Sequence, residues 1–334
     1  MEEKIKVYLS EQVQNILLKD MELFEFFKKD GSLNRNDFYN VLIENYYELY
    51  HERSSDIFDH IQGVIAEHSS LNSMEIRQIA SDIQNYVETK SNQLEGNLSE
   101  VTISIKPTRH TSRIFQFIES YHIRNSSMSN YFRNMLASYT LLPQDRRERI
   151  IFKETVETIE EAIANERKIY FTTTSYDAMH IVSPYRITNS KEELFNYLIG
   201  EYKGNAYSFR ITRLRKVIIL NEAASFSEEN EKVFGMMLKY GPQFAYRSDT
   251  APLVKVRLTE RGQDMLKKIY LHRPRLTGKE GDIYTFECAP SQAFQYFLKF
   301  GRHAVVLEPK DLQNDLHKFY SIAEKAYRRR EKQE

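Results

Sequence analysis

The sequence predicts an α+β protein with more than one domain, on three observations. At 334 residues the chain exceeds what one hydrophobic core usually organises. Short runs of period two occur at residues 4–9 and again at 101–106, each followed by apolar residues at helical spacing. Between residues 168 and 219, β-branched and aromatic residues gather in brief runs, with Gly, Asn, Asp and Ser between them. That last pattern predicts several short antiparallel strands in one small barrel or curled sheet. The expected boundaries are 1–145 for paired strand-and-helix elements with helices between them, 146–250 for the barrel with a leading helix, and 251–330 for a C-terminal α/β module.

Composition narrows the function classes. Hydrophobic residues at 41% and charged residues at 28% fit a soluble globular protein. No apolar run approaches the ~20 residues a membrane helix needs, and Met1-Glu2-Glu3-Lys4 lacks a basic-then-apolar signal region. The expectation is a cytoplasmic protein without a membrane partner. A single cysteine, Cys288, excludes an intrachain disulfide and fits a reducing compartment. Its apolar neighbours predict a buried, inert thiol. With 11 Gly and no glycine-rich phosphate loop, no nucleotide-hydrolysing motif is present. His51, His60 and His68 have no Cys or compact carboxylate set beside them, so no metal and no cofactor are expected. No carboxylate spacing marks a catalytic pair, and the chain is expected not to be an enzyme.

Net charge is zero but unevenly spread. Residues 1–100 hold 9 Lys and Arg against 19 Asp and Glu, net −10, while residues 101–150 hold 8 against 3, net +5. Local basic faces are therefore possible beyond residue 100.

The elements follow in order. Residues 4–9 alternate as a half-buried strand, and Ser10 caps a helix over 11–27. Gly31 ends that helix, and Asn34 or Asn36 starts a second one reaching Tyr50. Residues 51–97 look helical, with Ile57, Phe58, Ile61, Val64 and Ile65 recurring at helical spacing, then Ile76, Ile79, Ile83 and Val87. Residues 91–97 read as a linker. Val101 to Lys106 alternates again, and helices over about 111–121 and from Ser126 or Ser127 follow. Residues 144–164 form one connecting helix whose charges read as a solvated face. Strands are expected at 168–174, 180–187, 194–200 and 207–219, then a helix over 222–240. The C-terminal module reads as strand 254–258, a helix capped by Thr259, strand 283–288, helix 292–300, strand 304–309 and a final helix over 312–327.

The first fifty residues resemble a ribbon-helix-helix unit, and 101–140 resemble a second. In that family, paired strands form a ribbon whose outward side chains read the DNA major groove. Here the outward residues are Lys4, Lys6 and Tyr8, and Thr102, Ser104 and Lys106. Acidic neighbours disfavour the first ribbon for this work. Arg109, Arg113, Arg124 and Arg133 give the second a basic surround.

Residues 168–219 resemble the WYL domain, an Sm-like small β-barrel found in bacterial regulators. Pro184, Tyr197, Leu198, Phe209, Arg210, Arg213 and Leu214 match its pattern, Ile169-Tyr170-Phe171 fits loosely, and Asn196 replaces the naming Trp. The resemblance implies sensing of nucleotides or nucleic acid by aromatic and basic side chains: Tyr170, Tyr185, Arg186, Tyr197, Arg210 and Arg213. Tyr207 offers a further stacking face. Arginine is suited to bidentate phosphate contact, and tyrosine to base stacking. Strict alternation would send Arg210 and Arg213 to opposite faces, so their convergence requires a twist or bulge. Gly301, Val306, Leu307, Glu308, Pro309 and Leu312 resemble the extension that follows WYL domains, which implies a homodimer. The whole combination is similar to the WYL accessory proteins of RNA-targeting, type VI-D CRISPR systems. That resemblance implies single-stranded RNA and an effector nuclease as partners. The alternative is a transcriptional regulator with duplex DNA and a nucleotide ligand as partners.

Overall fold

The computed structural model describes residues 4–92, 100–121, 127–173, 176–244 and 253–330. The chain divides into two compact units, Met1–Lys153 and Glu154–Glu334.

The first unit is built on two strand–helix–helix segments. β1 (Ile5–Ser10) leads into α1 (Glu11–Leu23), α2 (Arg35–His68) and α3 (Ser73–Asn92). β2 (Glu100–Ile105) leads into α4 (Thr111–Tyr121), α5 (Met128–Thr140) and α6 (Gln144–Ile151). β1 and β2 pair antiparallel within the one chain, with Val7 opposite Ile103 and Tyr8 opposite Thr102. Period-two alternation then does its work. Val7, Leu9, Ile103 and Ile105 are buried, while Lys4, Lys6, Tyr8, Thr102, Ser104 and Lys106 are exposed on the other face.

Each strand is held by a helix of the other segment. Asn36 of α2 donates from Nδ2 to the Lys106 carbonyl at 3.1 Å and accepts from the Lys106 N–H at 2.9 Å. Asn40 accepts from the Thr108 N–H at 3.1 Å. In return, Arg133 Nε of α5 donates to the Tyr8 carbonyl at 2.7 Å. A buried clasp joins the segments beneath the ribbon. Arg147 of α6 donates to both oxygens of Asp20 on α1, Nε at 2.7 Å and Nη2 at 2.8 Å, and the Tyr139 hydroxyl of α5 adds a bond of 3.0 Å.

Several expectations change here. Ser10 caps α1 as expected, accepting from the Val13 N–H, but the helix ends at Leu23, not Phe27. Glu25 turns the chain at φ 62°, and Phe27 then bridges Leu33. Asn34 stands at the start of α2 as expected, while Asn36 ties down Lys106, and α2 runs past Tyr50 to His68 without a break. Ser127 caps α5. The connecting helix is two helices, split at Phe152, and its charges are not all solvated: Arg147 and Glu148 are buried. Residues 93–97 of the linker, together with Arg124 and Ser126, lie outside the described residues.

The second unit opens with α7 (Lys153–Ala164) and a five-stranded antiparallel sheet. Its strands are β3 (Arg167–Thr173), β4 (Tyr176–Asn189), β5 (Asn196–Tyr202), β6 (Asn205–Arg210) and β7 (Leu214–Ala223), in the order β6-β5-β4-β3-β7. β4 serves two neighbours in turn. Its first half pairs with β3 and its second half with β5, and Tyr185 is left over in a bulge between Pro184 and Arg186. Proline has no N–H for the ladder, so the strand bends there and the sheet curls. Gly200 lies against this bend, where a Cβ would come 2.5 Å from the Ser183 carbonyl oxygen.

The expected barrel is not closed. Among the described residues no ladder joins the edge strands β6 and β7. A 3₁₀ turn (Ile211–Arg213) stands between them and splits what reads in sequence as one strand over 207–219. β7 then runs on to Ala223, and α8 (Glu228–Tyr240) begins six residues after the expected start at 222.

The C-terminal part is a second antiparallel sheet covered by helices. β8 (Leu253–Leu258), α9 (Glu260–Lys268), β9 (Arg275–Glu280), β10 (Ile283–Glu287), α10 (Pro290–Phe297), β11 (Ala304–Glu308) and α11 (Lys310–Arg330) give the strand order β11-β8-β10-β9. Its core gathers Val254, Val256, Phe286, Tyr296, Phe297 and Phe300. Thr259 caps α9, accepting from the Gly262 N–H. β9 is unforeseen because its residues, RLTGKE, are mostly polar and exposed, as an edge strand's are.

Candidate nucleic-acid interface

The register of β4, β5 and β6 sorts the candidate residues by face. Arg186 pairs with Ile199, Thr188 with Tyr197, and Tyr197 with Arg210. Directly paired residues share a face, so Arg186, Tyr197 and Arg210 lie on one side of these three strands. Ile187, Leu198 and Phe209 occupy the opposite side. Arg210 is held from below, with its guanidinium carbon 3.1 Å from the centre of the Phe195 ring. A guanidinium over an aromatic face is attracted by the negative face of the ring, which fixes where this cation sits. The Tyr197 hydroxyl donates to Glu193 Oε2 at 2.6 Å, and its ring is largely buried.

A 3₁₀ turn stands where strict alternation would have sent Arg210 and Arg213 to opposite faces. Three residues make one turn, so the chain returns to the same side after three positions. Arg210 stands at the N-cap of this turn and Arg213 at its end. Ile211 and Thr212 are buried between them, and Arg213 is exposed. Arg215 braces the turn by donating from Nη1 to the carbonyls of Thr212, at 2.7 Å, and Leu214, at 2.8 Å.

The two remaining tyrosines differ in place. Tyr170 of β3 lies across from Ile181 and Ile218, two strands away from Tyr197. Tyr185 sits in the bulge with its ring stacked on Phe234 of α8, centroids 4.6 Å apart, and edge-on to Phe226. The register thus places Arg186, Tyr197 and Arg210 on one face, where Tyr185 packs with Ile199 and Phe234, sets Arg213 at the end of the following turn, and leaves Tyr170 two strands away.

The opposite face carries a cluster that sequence reasoning missed, apart from Tyr207. His180 of β4 stacks on Phe171, with centroids 5.2 Å apart, and contacts Tyr202 at 5.0 Å and Phe209 at 5.6 Å. Tyr207 lies nearly parallel to Phe209, and Lys203 Nζ is 5.1 Å from the Tyr202 ring. Burial, with Lys203 nearby, holds the His180 imidazole below its usual range and so favours its neutral form. Aromatic residues at alternate positions of neighbouring strands were the signal that could have found this cluster. Cys288 is buried, and burial pushes its thiol up to about 12. Among the described residues no group of three or more His, Cys, Asp or Glu side chains is placed to hold a metal. No described helix is long and apolar enough to cross a membrane.

No protein-family model matches the sequence, and no curated protein matches it. Among solved structures, the chain is similar to one reported as the crystal structure of a CRISPR Cas-related protein. That likeness has a TM-score of 0.69 and 23% identity, and covers 99% of this chain and 95% of the other. A second likeness is to the proteasome accessory factor B/C (PafBC) of Arthrobacter aurescens, with 12% identity and coverage of 94% of this chain and 48% of that one. Its TM-score is 0.24. The chain has, over nearly its whole length, the fold of a CRISPR Cas-related protein.

Proposed function

We propose that this chain is a non-enzymatic, dimeric nucleic-acid-binding regulator that accompanies an RNA-targeting CRISPR nuclease. It holds single-stranded RNA at the β5–β6 edge of the WYL-like sheet. One observation carries this reading: Arg210 is laid on Phe195, paired with Tyr197 and followed one 3₁₀ turn later by the exposed Arg213. A planar donor fixed by an aromatic ring, with a second cation one turn away, suits successive phosphates of a flexible strand. Arg186 on the same face extends the positive surface. The fold shared with a CRISPR Cas-related protein supports the setting.

The ribbon supports a second reading, as a DNA-binding transcriptional regulator, because its outward row is polar and exposed. Titration of the full chain with labelled single-stranded RNA and with duplex DNA of equal length separates the two. RNA is expected to bind more tightly. Arg210→Ala with Arg213→Ala should weaken it and reduce the salt slope by about one unit per lost phosphate contact. A folded double variant with unchanged affinity and slope removes the arginines from the interface.

A further inference from the structure

The far half of α2 and the whole of α3 form an arm unlike the rest of the first unit. Near its start α2 is a core helix: Phe38, Tyr39, Leu42, Ile43, Tyr46 and Tyr50 are all buried. Over residues 51–87, Ala80 alone is buried among the described side chains. Yet the arm is well built. Gln84 Nε2 donates to Ser54 Oγ at 2.7 Å and to the Ser54 carbonyl at 2.9 Å, tying α3 to α2. At the tip, Asn72 and Glu75 cap each other. The Glu75 N–H donates to Asn72 Oδ1 at 3.1 Å, and the Asn72 N–H to Glu75 Oε2 at 3.0 Å. Reciprocal capping of this kind defines a helix start.

This defined hairpin carries a partly exposed apolar stripe. Ile79, Ile83 and Tyr86 follow one another at i, i+4 and i+7 on α3, with 37%, 40% and 64% of their surface exposed. Ile57 and Val64, two turns apart on α2, are exposed as well, and Met74 near the tip is 83% exposed. Contiguous apolar surface rimmed by polar groups marks an interaction site. The rim names the partner. Glu52, Asp56, Asp59, Glu67, Glu75 and Asp82 are exposed along the arm against two cations, Arg53 and Arg77, net −4. RNA would meet this field as a like charge. A second copy of the arm would bring −4 against −4, which charge complementarity disfavours.

We propose that the α2–α3 arm is a docking site for a basic amphipathic helix of a partner protein, its apolar stripe laid along Ile79, Ile83 and Tyr86 and its Lys and Arg facing the acidic rim. Helix-in-groove recognition of this type is read as anchors at i, i+3, i+4 and i+7. The proposal goes beyond the RNA reading and does not depend on it.

The test uses the full chain and a fluorescent amphipathic Leu/Lys helical peptide. A scrambled peptide of the same composition and an amphipathic Leu/Glu peptide serve as comparisons. The Leu/Lys helix should bind tightest. Ile79→Ser with Ile83→Ser should weaken it by about tenfold or more. Asp56→Asn, Glu67→Gln and Asp82→Asn together should weaken it about fivefold and flatten its salt dependence. Because those three side chains are exposed, this variant keeps the test usable should the serine variant fail to fold. Equal binding of the scrambled or Leu/Glu peptide overturns the proposal. So does a charge variant with unchanged affinity, a serine variant that loses RNA affinity but keeps the peptide, or a protein whose oligomeric state shifts when the stripe is cut.

Discussion

The ribbon of the first unit and the curled sheet of the second are both built from alternating strands, and they present those strands differently. In the ribbon, Val7, Leu9, Ile103 and Ile105 of the inward row are buried, and the outward row is exposed, with Lys6 across from Ser104 and Tyr8 across from Thr102. Its backbone edges are already held by Asn36, Asn40 and Arg133. In the sheet, the ladder places a tyrosine across from an arginine, and a 3₁₀ turn at its end brings in a second arginine. Alternation alone therefore does not distinguish a clasp from the face proposed to hold RNA. The difference lies in which side chains occupy the outward row and which groups are already committed.

The comparison breaks hardest at the clasp under the ribbon. Asp20 is fully buried and receives two bonds from Arg147 and one from Tyr139. Asp20→Ala leaves a guanidinium without its anion in a buried site, which costs about 3–5 kcal/mol. Urea unfolding followed by circular dichroism should show that loss. A change below about 1 kcal/mol would mean that water already screens the pair.

The next effect lies in the sheet. Tyr197→Ala should lose roughly 1–3 kcal/mol of RNA binding if the ring takes part in stacking. Tyr197→Phe keeps the ring and gives up the hydroxyl bond to Glu193, worth about 0.5–1.5 kcal/mol of stability. Loss of binding in Ala but not Phe, without a matching fall in melting temperature, assigns the ring to the ligand. A fall in melting temperature with RNA affinity intact assigns it to the core, in keeping with its burial.

The sequence carried much of this, for reasons that can be named. Period-two alternation marked both ribbon strands because each has one buried and one exposed face. Ser10, Ser127 and Thr259 marked helix starts because their oxygens meet orphan N–H groups. The clasp was illegible, since Asp20 and Arg147 stand 127 residues apart in runs of charge that read as solvated. The split of residues 207–219 was illegible too. Ile211-Thr212-Arg213 has the composition of a strand, and the turn is set by the carbonyl bonds from Arg215. Of the site, the pairing of Tyr197 with Arg210 was within reach of motif and spacing. The seating of Arg210 on Phe195, the distance of Tyr170 from it and the packing of Tyr185 under α8 depend on register and on the Pro184 bulge.

The smallest expected effect belongs to the ribbon's outward cations. Lys4, Lys6 and Lys106 are exposed, and the structural bonds at Lys106 run through its backbone, to Asn36 and Asn40. Replacing the three side chains with Gln therefore leaves the strand pairing and its clamps in place. Base-edge readout in a major groove needs matched donors and acceptors, and Thr102 and Ser104 beside these lysines are short. The first hundred residues also carry net −10, a field that opposes the approach of any polyanion. RNA affinity of the triple Gln variant should stay within about threefold of the unaltered chain, under ~0.7 kcal/mol. A larger loss in a protein with an unchanged melting temperature would move the nucleic-acid face to the ribbon. Duplex DNA would then become the ligand to titrate first.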